Sequence, residues 1–154
     1  MSEGRQLSTF FVDDLCFGID VQTVQEVIRR LVITRVPLSP VQVGGLINLR
    51  GQILTAIDLR RCLNLPQRPL CEFPVNLIIR TEDGLVSLLV DEIGDVVEPD
   101  KDMFEHLPST LRGRLRDFVL EAYKLPSHLL FYLDTRRLLS GGSSGFPSSE
   151  PSNG

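Results

Sequence analysis

VGGLINLRGQILTAIDLR, residues 43–60, sets two strongly apolar runs around a single arginine. Gly44 and Gly45 break the chain, LINL and QILTAI read as strands, and residues 48–51 fall where the two strands meet. DLRRCLN follows as one or two helical turns with Asp58 at its start. Arg50 is long and always charged, and Gly51 stands immediately after it. Taken alone, the pattern fits any small barrel with an arginine exposed at a hairpin.

The flanks give the segment a context. LSTFFVDDLCFGID, residues 7–20, reads as a hairpin turning at Asp13 and Asp14. VQTVQEVI places Val21, Val24 and Val27 or Ile28 at helical spacing behind Asp20 as N-cap, which predicts a short amphipathic helix. ITRVP reads as a short edge strand ending at Pro37. Beyond a proline-rich connector at residues 65–74, the order starts again. VNLIIRTEDGLVSLLVD is strand, turn, strand, and DEIGDVVEP stands where VQTVQEVI stood. FVLEAYKLPSHLLFYLDTRRLL mirrors LINLRGQILTAIDLRRCL. Asp20 falls on Asp91 and Asp58 on Asp134, so nearly one period spans the chain. This predicts an all-β fold with short helices, built as a single domain over residues 7–140. Its two related lobes, about 7–67 and 75–140, each have about five short strands closed into a small barrel so that no edge is left open. GGSSGFPSSEPSNG, residues 141–154, has the composition of a disordered tail.

Composition narrows the function. The chain has 154 residues, of which 42% are hydrophobic and 23% charged, an ordinary globular balance. Its net charge of −4 argues against a nucleic-acid binder, which needs a basic stripe. No apolar run is long enough to span a membrane, and MSEGRQLSTFF lacks the order of a signal peptide, so a cytoplasmic protein is expected. Cys16, Cys62 and Cys71 form no C-x-x-C pair and read as buried or idle thiols. His106 and His128 have no metal-ligand spacing and read as loop residues facing solvent. Residues 141–145 match G-x-S-x-G in letters only, since no strand–turn–helix surrounds them. No P-loop or dinucleotide fingerprint is present. Arg112, Arg114 and Arg116, and the doublets Arg29-Arg30 and Arg60-Arg61, read as solvated faces. The expectation is a binding module with no catalytic residues, cofactor or metal.

The quoted segment resembles the signature of the CheW family, G-(V/I)-x-NLRG-x-(I/V)-(L/V)-P-(V/I)-(V/I)-DLR. FFVDDLCFGIDVQTVQEVI, ITRVP, LVSLLVDEIGDVV and LLFYLDTRRLL are similar to further family elements in the same order, so the likeness runs from about Leu7 to Leu139. The resemblance implies two lobes of SH3-like topology around a shared core. It also implies an adaptor that couples the cytoplasmic tip of a chemoreceptor to a CheA-type histidine kinase, recruited to membrane-associated receptor arrays. An interaction module of another pathway, pilus motility or development, is the alternative. Carried over position by position, Val24, Glu26, Arg50, Gly51 and Val75 fall on the groove between lobes that receives the receptor tip, with Glu26 and Arg50 placed to pair on its rim. Two positions depart from the pattern. Thr55 stands where relatives usually have proline, which a strand tolerates. Glu121 stands where they usually have glycine, on the side implied to face the kinase.

Overall fold

A computed structural model describes residues 5–66, 73–111 and 113–140. Eleven strands dominate these residues. β1 (Leu7–Val12) and β2 (Leu15–Asp20) form the first hairpin, with Val12 opposite Leu15. β3 (Val24–Arg29) precedes β4 (Val43–Leu49) and β5 (Gln52–Asp58), and α1 (Leu59–Cys62) closes the first half. β6 (Val75–Thr81), β7 (Gly84–Val90) and β8 (Glu92–Val97) open the second. β9 (Phe104–Glu105), α2 (Gly113–Phe118), β10 (Val119–Lys124), β11 (Leu129–Leu133) and α3 (Thr135–Ser140) complete it.

The two sheets have one topology. The larger runs β8-β1-β2-β11-β10-β9 and the smaller β3-β6-β7-β5-β4. Each is built from antiparallel hairpins joined by one parallel pairing, β11 with β2 and β5 with β7. Closure is equivalent too. Beyond β3, Thr34 exchanges backbone hydrogen bonds of 2.9 and 2.8 Å with Leu46 of β4. In the larger sheet Glu105 of β9 lies opposite Ala122 of β10. Each sheet thus curls so that its far edges meet, removing most free edge.

The repeat holds, but the lobes do not follow the halves of the chain. The smaller sheet uses β3 to β7, and the larger combines β1 and β2 with β8 to β11. Each first hairpin has changed places with its counterpart, so the expected boundaries at 7–67 and 75–140 give way to an interlocked pair. The connector at 65–74 falls between α1, which follows β5, and β6, so the elements on either side of it both belong to the smaller sheet's part of the chain. Its residues 67–72, including Cys71, lie outside the described residues, as does the expected tail at 141–154.

Two further expectations are corrected. VQTVQEVI is not a helix: one 3₁₀ turn at Val21–Thr23, without a side-chain cap from Asp20, leads directly into strand β3. Valine and isoleucine are stiff at χ1 and suit a strand, and pairing with β6 supplies the partner. ITRVP contributes only the Thr34 bridge. By contrast, DLRRCLN is helical as expected, with Asp58 Oδ1 accepting from the Arg60 backbone N–H at 3.0 Å.

Burial explains why the strands read as nearly continuous apolar runs. Phe10, Val12, Phe17 and Ile19 of the larger sheet share one core with Ile57, Leu77, Ile79, Leu88 and Val90 of the smaller. The opposite face of each sheet fills its own barrel, with Leu7, Cys16 and Leu130 in one and Ile47, Leu54 and Ile78 in the other. Strands buried on both faces lose the polar alternation of a one-sided sheet.

Candidate functional site: an ion-paired hairpin tip

The β4–β5 hairpin has a two-residue loop, since Leu49 lies opposite Gln52. Arg50 and Gly51 both take positive φ, 51° and 91°. That is the geometry of the primed turns whose twist matches the flanking strands. Asn48 Oδ1 accepts from the Gly51 backbone N–H at 2.8 Å and pins the turn. Glycine is at ease at Gly51, whereas Arg50 holds a left-handed conformation that a non-glycine residue adopts at some cost. The guanidinium is thereby lifted clear of the barrel, with 67% of its side chain exposed, and it donates to Glu26 Oε2. Glu26 projects from β3 just past a register shift that follows Val24. An ion pair this open contributes about 0–1 kcal/mol, so its consequence is to aim Arg50 rather than to hold the fold.

The implied groove residues do not all converge. Glu26, Arg50 and Gly51 come together. Val24 is half-buried on the same strand and packs against the shared core. Val75 does not reach the rim. It lies opposite Arg29, four positions along β6 from the partner of Val24, and is 5% exposed. Its side chain belongs to the core. Thr55 sits in β5 opposite Leu46, as a β-branched residue readily does.

Glu121 is engaged elsewhere. Its Oε1 accepts from the Tyr123 hydroxyl and, at 3.3 Å, from Arg5 Nη1. The Arg5 guanidinium also stacks 4.6 Å from the centroid of the Tyr132 ring, and the Tyr132 hydroxyl donates to Asp20 Oδ2 at 2.9 Å. Burial first, then the bond to Asp20, pushes the Tyr132 phenol up to about 12.

The doublet Arg60-Arg61 is not a solvated face. Arg60 is 6% exposed and grips Asp91 with a fork, Nη2 to Oδ2 at 2.6 Å and Nε to Oδ1 at 3.3 Å, while Nη1 reaches the Pro66 carbonyl at 2.6 Å. Asp91 Oδ2 also accepts from the Asp13 backbone N–H at 2.7 Å. Asp91 is the single residue between β7 and β8, where the chain crosses from one sheet to the other. Arg60 therefore bolts α1 to the crossover. Sequence reasoning missed it because the partner lies 31 positions away. The repeat had nonetheless marked Asp91 as the counterpart of Asp20.

Chemistry of other kinds has no assembled site among the described residues. His106 and His128 are exposed, and no group of three potential metal ligands converges there. Cys16 and Cys62 are buried free thiols, pushed by burial up to about 11 and about 12. Arg114 and Arg116 are exposed on α2, while Arg112 lies outside the described residues. No described helix is long and apolar enough to cross a membrane.

Paired, interlocked barrels that display an ion-paired hairpin tip form a duplicated β-barrel module. The CheW-like domain model matches residues 6–142, so this chain belongs to the CheW-like family. It is 30% identical over 141 residues to the chemotaxis protein CheW of Bacillus subtilis (strain 168), covering 92% of this chain and 90% of that protein. The chemotaxis protein CheW of Treponema pallidum (strain Nichols) is 25% identical over 142 residues, covering 90% and 84%. The crystal structure of the scaffolding protein TtCheW from Thermoanaerobacter tengcongensis superposes with a TM-score of 0.76. It covers 88% of this chain and 92% of that one at 24% identity, a likeness of fold.

Proposed function

We propose that this protein is a non-catalytic cytoplasmic adaptor that couples the cytoplasmic tip of a chemoreceptor to a CheA-type histidine kinase. The observation that carries the reading is the hairpin tip. Arg50 is held out by a turn it does not stabilise and aimed by Glu26, which lies two positions along β3 from half-buried Val24. A charged fork next to apolar surface suits a helix laid in by its apolar face, with the charge setting register. Receptor contact is assigned to Val24, Glu26, Arg50 and Gly51, with Val75 supporting the strand beneath.

Kinase contact is assigned to the barrel ends, with Glu121 on that side. The loop leaving β3 exposes Val32, Leu38 and Val41, and strands β9 and β10 of the larger barrel expose Phe104 and Leu120. Leu38 is fully exposed at φ 63°, an apolar side chain held outward in a conformation that leucine disfavours. Between Glu26 and Asp58 the chain carries four arginines and no carboxylate, although acidic residues outnumber basic ones overall. A segment so segregated in charge favours a partner of opposite sign.

The test is reconstitution with receptor fragments and the kinase. The three components sediment together with raised kinase activity, and Arg50→Glu abolishes coupling while the fold, followed by circular dichroism, stays intact. Kinase output indifferent to this protein would sink the proposal.

A further inference from the structure

The chain's only two tyrosines, Tyr123 and Tyr132, meet at one end of the larger barrel, and the chain has no tryptophan. Both rings are over nine-tenths buried, and both hydroxyls donate to carboxylates, of Glu121 and Asp20. With their protons committed, the phenols leave the Glu121 carboxylate and the Tyr132 ring face turned toward one place, while Asp20 holds the Tyr132 hydroxyl. Arg5, at the start of the described chain, fills that place. Its guanidinium lies over the Tyr132 ring and bonds Glu121, yet its side chain remains 45% exposed and that of Glu121 37%. Carboxylate plus aromatic face is the pairing that selects a planar guanidinium over a compact ammonium.

Two features mark Arg5 as an exchangeable occupant. The segment bearing it is tied down nearby by one backbone bond, from Val21 N–H to the Gln6 carbonyl at 3.0 Å, before β1 begins. Half-exposed contacts of this kind are individually weak. Beside it, Glu121 and Tyr123 also line a shallow depression with Pro99, Asp100, Lys101 and Phe104, which gives an incoming chain a bed next to the carboxylate. Glu121 makes the arrangement possible, since glycine there removes both the bond to Arg5 and the bond to Tyr123.

We propose that the face formed by Glu121, Tyr123 and Tyr132, with Asp20 positioning Tyr132, is a receptor for an arginine side chain, occupied in the free protein by the chain's own Arg5, and that a partner protein engages it by putting its arginine in place of Arg5. The identity of that partner rests on the coupling function proposed above; the site itself does not, and it is tested with no partner present. Glu121 is then a specificity-determining residue: it favours partners that offer an arginine and makes them compete with an internal one.

Tyrosine emission reports on this cluster alone, because no other tyrosine or tryptophan exists in the chain. In the full chain, Arg5→Ala shifts that emission, and N-acetyl-arginine amide restores the wild-type signal saturably at matched ionic strength. The wild type, whose site is filled by a tethered arginine, responds to the probe only at concentrations about tenfold higher or more. Arg5→Lys keeps the charge without the fork and yields to the probe at lower concentration than the wild type. Adding Glu121→Gln to Arg5→Ala removes the response. An Arg5→Ala spectrum identical to wild type, a probe response that survives Glu121→Gln, or equal probe concentrations for Arg5→Lys and wild type each overturn the proposal. Should Arg5→Ala fail to fold by circular dichroism, the comparison of Arg5→Lys with wild type decides alone.

Discussion

At the scale of single residues, two arginines ten positions apart have opposite roles. Arg50 is displayed, and its replacement leaves stability nearly unchanged. Arg60 is buried, and its replacement takes the guanidinium fork away from Asp91 at the crossover. Removing one member of a fully buried pair costs about 3 kcal/mol or more, but Asp91 is 20% exposed and keeps the Asp13 N–H, so the loss here is expected at about 2–3 kcal/mol. Arg60→Ala is therefore expected to lower the urea midpoint sharply. Arg60→Lys keeps the charge but cannot fork, and loses roughly half as much. A loss under about 1 kcal/mol for Arg60→Ala shows that the bolt is dispensable. A second expectation concerns pH. The thiols of Cys16 and Cys62 rise from 9.0 to about 11 and about 12, and the Tyr132 phenol from 10.0 to about 12. All three hold their protons more tightly folded than unfolded. Their contribution is complete below about pH 9 and disappears as pH climbs from there through about 12. Unfolding measured across that range should show a steady alkaline decline, and a flat profile refutes it. The exposed arginine was legible in the sequence because glycine and flanking strands surround it. The buried one was not, because an arginine beside another arginine looks solvated until its distant partner is known.

At the scale of elements, the hairpins were readable and the segment after Asp20 was not. Asp13-Asp14 marks the first turn by composition and residues 48–51 mark the second junction; the structure narrows that junction to Arg50-Gly51, with Val12 opposite Leu15 and Leu49 opposite Gln52. VQTVQEVI fits a helical spacing over eight residues, but that spacing is also met by a turn followed by a strand. Long-range pairing with β6 decides between them, and no local pattern contains it. Barrel closure rests on Gly45, whose role the sequence indicated only as a break. Its φ is 150°, and a Cβ there would stand 2.4 Å from the Thr34 carbonyl oxygen and 2.7 Å from Ile33 Cγ2. The Thr34–Leu46 bridge depends on that close approach. Gly45→Ala must push the closing segment away, at about 1–3 kcal/mol in overpacking before any backbone strain is added. Amide exchange should quicken at Thr34 and Leu46 while remaining slow in β6 and β7. Gly51→Ala meets no atom within 4 Å and carries only the strain of φ 91°, so it is expected to cost less. If the two substitutions prove equally damaging, steric closure is not what Gly45 provides.

At the scale of the molecule, the repeat was legible and the exchange of hairpins was not. Apolar strands covered on both faces carry no mark of which copy covers them, so a period of about seventy residues predicts two similar lobes without saying how they share strands. The exchange has a testable consequence. Cutting the chain between residues 66 and 73 leaves one half with β1 to β5 and the other with β6 to β11. In the first half β3 has lost β6, β5 has lost β7, and β1 and β2 have lost β8 and β11. Each half keeps hairpins but no complete sheet, and isolated hairpins are at best marginal in water. Separately, each half should give the poorly dispersed amide spectrum of an unfolded chain. Mixed in equal amounts, they should recover the dispersed spectrum and sediment as a one-to-one complex. Either half folding alone as a monomer contradicts the interlock. The strands correspond copy for copy, β1 with β6, β2 with β7 and β3 with β8, and both sheets use them in the same order. Two copies of one repeat, each lending its first hairpin to the other, already satisfy every pairing the molecule uses. Any self-association of a separated half should therefore stop at a closed dimer, with the partner copy standing in for the missing half.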